Sequence, residues 1–272
     1  MNVVLTGSST GIGRTLAERL LSRGHQVWGI ARSLQSNFVV KNGGAFRAAR
    51  CDVAVWSQVA AAAAEVTGAW PRVDALITCA GLHGEVGRTL RSDPINWSAT
   101  VRANLDGTFH AVRAFDPLLQ LATRRAKVIC FSGGGATKAR PNFSAYGVAK
   151  TGVVRLVETI AAEESGRAYD INAIAPGGIN TRLTDEIIKL GPSVVGATEF
   201  AAAQAQKAAP AASLENVLGL VEWLLSPASD GISGRLLSAQ WDAWQGLGSQ
   251  RDAVAKSELF TLRRVTPNQK SS

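Results

Sequence analysis

The sequence predicts an α/β fold: a single doubly wound parallel sheet with helices on both faces. Three observations carry that reading. Short apolar runs alternate with amphipathic stretches along most of the 272 residues, the signature of strands and covering helices. The first strand, turn, helix and second strand close within about thirty residues, the minimum for a right-handed parallel crossover. The chain is 46% hydrophobic and 18% charged, which supplies a sizeable core and excludes a disordered chain.

The elements follow in order. Asn2 to Thr6 is a short β-rich run, followed by the turn Gly7-Ser8-Ser9-Thr10-Gly11-Ile12-Gly13. Arg14 to Arg23 carries Leu16, Leu20 and Leu21 at helical spacing and stops at Gly24. Gln26 to Ala31 is a second strand, Ala45 to Ala49 a weak third, and Val55 to Val66 an Ala-rich helix. Ala75 to Cys79 is a strand, and Trp97 to Leu121 a long helix that Pro117 kinks or ends. Lys127 to Ser132 is a strand, Ala145 to Glu164 a helix, and Ile171 to Ala175 a strand closed by Pro176-Gly177-Gly178. Leu183 to Ala212 is Ala-rich without a strand signal, Leu214 to Leu225 is a helix, and Arg235 to Ala239 a last strand. Neither linker nor repeat divides residues 1–244, which read as one domain; 245–272 is a polar, basic extension, ordered only if it docks.

The formal charge of +8 is spread without a block of five like charges, so it reads as a solvated surface, and no nucleic-acid motif accompanies it. Cys51, Cys79 and Cys130 form no CxxC pair, which argues against zinc and a disulfide framework and suits a reducing compartment. With neither a membrane-length apolar run nor a basic leader at Met1-Asn2-Val3, a cytoplasmic protein is expected.

Gly7, Gly11 and Gly13 sit between the first strand and its helix. Glycines there let backbone approach a pyrophosphate held over the helix N-terminus. The second strand ends Ile30-Ala31-Arg32-Ser33, without the carboxylate that would bind a ribose hydroxyl. Arg32, helped by Ser33, suits a 2′-phosphate, so NADP(H) is favoured over NAD(H). Asp52-Val53 either borders the adenine or leaves Asp52 as a helix N-cap. Tyr146 and Lys150, four apart on a predicted helix, share one face, and a neighbouring ammonium favours the phenolate. Such a pair can give a proton to a carbonyl oxygen or take one from an alcohol.

Taken together, these segments resemble the classical short-chain dehydrogenase/reductase family. The matching residues are Thr6 to Gly13, Asp52-Val53, Cys79-Ala80-Gly81, Asn104, Ser132, Tyr146 to Lys150, and Pro176-Gly177 with Thr181. They cover residues 1 to about 240 in the family's order and spacing. The resemblance implies a Rossmann-type domain and NAD(P)(H)-dependent ketone reduction or alcohol oxidation. It implies that Tyr146 is the general acid/base. Lys150 would hold the nicotinamide ribose and depress the tyrosine pKa, and Asn104 would anchor a relay water unless it is only a helix-interior amide. Ser132 would hold the substrate oxygen, and Ile179 and Thr181 would meet the carboxamide beside Pro176-Gly177. With Ser9, Thr10, Ile12, Ala80 and Gly81, these residues would hold the dinucleotide. The helices around Arg102 to Leu121 and Ala145 to Glu164 resemble those that pack subunits in this family, so a homodimer or homotetramer is expected.

Three departures stand out. Cys79 replaces an asparagine of the family. The family's serine lies thirteen residues before the tyrosine, where this chain has Gly133; Ser132 lies fourteen before it, and Asn142 or Ser144 are alternatives. The last strand runs into Ser238-Ala239-Gln240-Trp241-Asp242-Ala243-Trp244, whose tryptophans line a pocket, meet another subunit or anchor the tail.

The segment 183–212, hinged at Gly177, Gly178 and Gly191, would close over the substrate. Its mixed charges favour a small polar carbonyl compound, a keto-sugar or an oxoacyl group. Length and the Gly-Ile-Gly turn argue against an extended epimerase. The rival reading, an NADP-binding sensor or scaffold without catalysis, has no need of the intact Tyr146, Lys150 and Asn104.

Overall fold

Strand β1 (Asn2–Thr6) sends Val3 and Leu5 to one side and Val4 to the other, and all three are fully buried. Burial on both faces requires a central strand with helices above and below. The structure is a computed structural model and describes residues 1–40, 42–164, 166, 168–208 and 212–265, with backbone alone at 212 and 213. Positions 209–211 of the expected substrate segment and 266–272 of the expected extension lie outside the described residues.

The remaining strands are β2 (Gln26–Ala31), β3 (Phe38–Val39), β4 (Ala45–Arg50), β5 (Ala75–Thr78), β6 (Ala126–Phe131), β7 (Tyr169–Ala175) and β8 (Leu236–Ser238). They lie in the order β3-β4-β2-β1-β5-β6-β7-β8, with β3 antiparallel to β4 and every other pair parallel. The chain works outward from β1 to β4, then returns to β5 on the other side of β1, so the topological switch lies between β1 and β5.

The helices are α1 (Gly11–Ser22), α2 (Trp56–Ala69), α3 (Pro94–Val101), α4 (Gly107–Leu119), α5 (Ser144–Glu163), α6 (Arg182–Leu190), α7 (Pro192–Val195), α8 (Ala197–Ala208), α9 (Ala212–Leu225) and α10 (Arg251–Ala255). On one face α1 and α9 bury Leu16, Leu20, Val217 and Val221 against Val3, Leu5 and Ile77. On the other, α2, α4 and α5 bury Val59, Val66, Phe115, Val153 and Val157 against Val4, Leu76 and Val128. The i, i+4 spacing of these residues turns one stripe of each helix to the sheet.

Three sequence expectations change. The long helix expected over Trp97 to Leu121 is α3 and α4 joined by a π turn, Arg102–Asp106, while Pro117 is carried inside α4. The break lies at Asn104, whose Nδ2 donates to the Thr100 carbonyl at 2.9 Å and to the Leu82 carbonyl at 2.9 Å; a side chain entering the ladder in this way widens a helical turn. The strand β3 was not foreseen, because two exposed residues show no alternation; Phe38 stacks on Phe46 with centroids 5.2 Å apart. Asp52 is not the N-cap of α2, a position held by Val55; its Oδ1 accepts from Ala54 N at 3.0 Å within the preceding turn.

Beyond β8 the chain doubles back along the sheet edge. Leu236 N donates to the Phe260 carbonyl at 2.7 Å. The buried Arg235 guanidinium donates to the carbonyls of Ala255, Ser257 and Leu259 at 3.2, 2.9 and 2.8 Å. Trp244 is buried against Trp223, centroids 5.9 Å apart, whereas Trp241 is 85% exposed. Replacing Arg235 by Met removes the donors of three carbonyls. The expected outcome is a loss of about 2–4 kcal/mol in urea unfolding, with earlier protease cleavage between residues 255 and 262.

Candidate active site

The site begins where β1 runs into α1. Gly7 has φ +74°, and a Cβ there would stand 2.7 Å from the backbone nitrogen of Ala80, so the turn after β1 lies directly against the turn after β5. A Cβ on Gly13 would collide with the Gly7 carbonyl. Only glycine permits that conformation and that approach. Thr10, the N-cap of α1, makes no side-chain cap bond, and the first turn holds no acidic residue. The amides of this helix end therefore face outward with a positive local field, which suits a phosphate.

From this turn a cleft of about 1070 Å³ runs along the carboxyl ends of the strands. Gly7, Ser9, Thr10, Gly11, Ile12 and Gly13 floor one end, Arg32 and Ser33 stand at the end of β2, and Asp52 and Val53 follow β4. Ala80 and Gly81 follow β5; Ser132, Tyr146 and Lys150 line the far end with Pro176 and Thr181. Three expected residues are not on this wall. Asn104 is fully buried behind it, Ile179 packs into the core beside α9, and Gly177 lies against Gln240. Trp241 and Trp244 do not line the cleft either.

Lys150 is 3% exposed, and its Nζ donates to the carbonyl of Phe131 at the end of β6, 2.9 Å away. Burial lowers its pKa to about 8. A Cβ on Gly81 would come within 2.8 Å of Asn104 Oδ1 and 3.4 Å of Lys150 Nζ, so only a bare backbone fits between them. The side-chain amide of Asn104 is satisfied by backbone: Oδ1 accepts from Leu82 N at 3.3 Å, and Nδ2 donates as described above.

Tyr146 is buried to 7% exposure, with the ring of His83 edge-on at 5.1 Å and Lys150 Nζ 5.6 Å from its centroid. Burial raises the Tyr146 pKa above its ordinary value, and the cation that opposes this is Arg140. The serine question resolves into geometry. Ser132 lines the cleft, but its hydroxyl proton goes to the Lys150 carbonyl at 3.1 Å. Gly133, at the family's serine position, abuts the phenol so closely that a Cβ would collide with Tyr146 Oη. Ser144 accepts from Trp97 Nε1 at 3.0 Å, and Asn142 Nδ2 donates to the Val195 carbonyl at 3.1 Å.

Other cleft residues carried no sequence signal. Glu85, Asn96, Thr100 and Arg102 line the cleft; only the proximity of Arg102 to Asn104 in the chain could have flagged one of them. His83 is buried with Nδ1 lacking a partner, and burial lowers its pKa to about 3, so the ring is neutral at physiological pH. The segment α6–α8 covers Tyr146 with Ile187, Val195 and Ala203. Its charges pair with one another or with a neighbouring loop: Arg182 with Glu186 at 3.0 Å, Lys207 with Asp185, and Arg140 with Glu199. Of these charged residues, Arg182 lines the cleft.

The short chain dehydrogenase family model matches residues 1–190. Galactitol 2-dehydrogenase (L-tagatose-forming) of Cereibacter sphaeroides is 33% identical over 184 residues, 66% of this chain and 72% of that protein. The 3-oxoacyl-[acyl-carrier-protein] reductase of Synechocystis sp. is 28% identical over 192 residues, 68% of this chain and 76% of its own length. The solved structure of Thermoplasma acidophilum aldohexose dehydrogenase superposes with a TM-score of 0.73 at 25% identity, covering 87% of this chain and 91% of that one. With its fold, its glycine turn and its tyrosine–lysine helix, the chain belongs to the short-chain dehydrogenase/reductase family and is an oxidoreductase of that class.

The family binds NAD(P), and the residues present fit such a group. Side chains at Gly7 and Gly13 would fill the cradle, the helix N-terminus offers unspent amides, and one continuous cleft connects them to Tyr146. Among the described residues no cluster of acidic, histidine or cysteine side chains suits a metal, and no helix is long and apolar enough to cross a membrane.

Lys150 makes stability depend on pH with a defined sign. Its pKa falls from 10.5 in the unfolded chain to about 8 in the fold. The unfolded state thus binds more protons between these values, and stability from this group rises with pH across that window. Urea unfolding at steps from pH 7 to 10 should show wild type gaining on Lys150→Met only above about pH 8. A constant difference would mean that the ammonium is not destabilised by burial.

Proposed function

We propose that this enzyme reduces a ketone, or oxidises the matching secondary alcohol, with NADP(H) as the preferred coenzyme. The observation that carries the reading is the single cleft in which the glycine cradle, Arg32 and the Tyr146–Lys150 helix share one wall. Gly7, Ser9 to Gly13, Asp52, Val53, Ala80, Gly81, Pro176 and Thr181 would hold the dinucleotide, with Gly177 and Ile179 backing them. When bound, the coenzyme supplies or accepts the hydride.

Tyr146 gives its proton to the substrate oxygen in reduction and takes it back in oxidation. A phenol whose pKa is raised by burial is fully protonated at neutral pH, the form reduction needs. Lys150, still largely an ammonium at neutral pH with a pKa of about 8, would hold the ribose. The peptide around Asn104 would seat the relay water. Ser132 lines the cleft with Tyr146 and would hold the substrate oxygen, its hydroxyl otherwise resting on the Lys150 carbonyl.

Arg32 is exposed at the end of β2 beside Ser33, where a guanidinium can make charge-assisted bonds to a 2′-phosphate. Glu85, Asn96 and Arg102 add polar groups to the cleft wall. Together with the galactitol- and oxoacyl-directed relatives, they support a small polar carbonyl substrate, a keto-sugar or an oxoacyl group. Phe109 on α4 and Val148 on α5 are 46% and 52% exposed, which supports self-association through these helices as a homodimer or homotetramer. Free thiols at Cys51, Cys79 and Cys130 suit a cytoplasmic setting.

Tyr146→Phe should lower turnover about a hundredfold or more, while NADPH binding, followed by fluorescence, stays near wild type; an active Phe variant would overturn the assignment. Arg32→Ala should weaken NADPH roughly tenfold or more and leave NADH nearly unchanged. Equal losses for both coenzymes would count against the 2′-phosphate contact.

A further inference from the structure

Arg140 stands between the catalytic helix and the segment that covers it. Its loop precedes α5, and its guanidinium lies 4.0 Å over the ring of Phe143 and 5.6 Å from the ring of Tyr146. Its Nε donates to Glu199 Oε1 of α8 at 3.1 Å, and Nη2 donates to the same oxygen. The pair is largely withdrawn from water, with side chains 16% and 29% exposed, so solvent screens it less than a surface pair. Gly135 of the glycine run makes room for it: a Cβ there would press on Arg140 Cβ at 3.3 Å. The same run leaves Gly133 against the Tyr146 hydroxyl. Where the family has a serine to meet that phenol, this chain has bare backbone and a cation nearby.

The structure assigns Arg140 as a positioning residue: its guanidinium, held by Glu199 of α8, links the seating of the α6–α8 segment to the phenol of Tyr146. This rests on Tyr146 being the proton donor of the proposed reaction. The charged and titratable groups that face the phenol come from each element packed on it. Lys150 lies on α5 itself and is tied to the Phe131 carbonyl. Cys79 and His83 come from the turn after β5, and burial keeps the thiol protonated and the imidazole neutral. Arg140 comes from the loop before α5, and Glu199 reaches it from α8. Arg140 opposes the burial of the phenol, its guanidinium as near the ring as the Lys150 ammonium, 5.6 Å from the centroid. When the segment is seated, Glu199 holds that cation over the ring and favours the phenolate. When the segment lifts, Arg140 loses its anchor and the phenol holds its proton more tightly. Proton release is thereby confined to the closed site.

Tyr146 and Tyr169 are the only tyrosines, so Tyr169→Phe leaves one phenol to observe. Tyrosinate absorbance after rapid pH jumps, read before unfolding, then titrates Tyr146 without any turnover. Arg140→Met should raise the midpoint by about one unit, and Arg140→Lys should restore most of it. Glu199→Gln should also raise it, because the guanidinium is released. A midpoint unmoved in Arg140→Met overturns the inference. So does a midpoint lowered in Glu199→Gln, the result expected if the carboxylate merely neutralises Arg140. In alcohol oxidation the rising limb of kcat against pH should move with the same sign in each variant. An active Tyr146→Phe enzyme would sink the proposed reaction while leaving the titration result standing, so the two failures are distinguishable.

Discussion

A buried ammonium organises the catalytic end of the sheet. Lys150 donates to the carbonyl of Phe131, and Ser132, the next residue, donates its hydroxyl to the carbonyl of Lys150. The two bonds cross between the end of β6 and the same turn of α5, and they fix the helix in both rotation and height. Tyr146, one helical turn earlier, is placed as a consequence. Burying a charge is unfavourable, and the depressed pKa of Lys150 records that burden. The fold carries it because the position is useful: active sites are where such groups are held despite their cost in stability.

The second constraint is the parallel sheet. All seven parallel strands point their carboxyl ends the same way, so the turns after β1, β2, β4, β5, β6 and β7 meet along one edge. At the switch between β1 and β5 the two turns touch, Gly7 against Ala80, and the helices on either side diverge to leave a crevice. Residues scattered from position 7 to 181 therefore share one cleft. Cys79 takes the place of an asparagine here without disturbing the approach, because the contact is made by the backbone of Ala80; Thr6 Oγ1 accepts from that nitrogen at 3.2 Å.

The serine departure and the glycine run are one feature. Gly133 gives its space to the phenol, while Gly135 makes room for Arg140. The side that faces Tyr146 is then closed by apolar Ile187, Val195 and Ala203, while Arg182 of α6 lines the cleft and Glu199 of α8 holds Arg140. The result is a site in which the phenol lies under an aromatic and aliphatic roof, within a cleft whose wall also carries Glu85, Asn96 and Arg102.

Much of this was legible in the residues. Short apolar runs marked seven of the eight strands among the described residues, since a buried parallel strand must be apolar on both faces. The glycine spacing, Arg32 and the Tyr146–Lys150 pair marked most of the cleft, because local geometry ties a turn or a helix face to its sequence spacing. What the sequence could not decide depends on atoms far apart in the chain. The break at Asn104 needed the Leu82 carbonyl from another loop. Lys150 is buried by the ends of β5 and β6, whereas the apolar cover of Tyr146 and the meeting of Arg140 with Glu199 come from α6–α8. Local patterns report what neighbours along the chain do; charge, burial and partnership belong to neighbours in space.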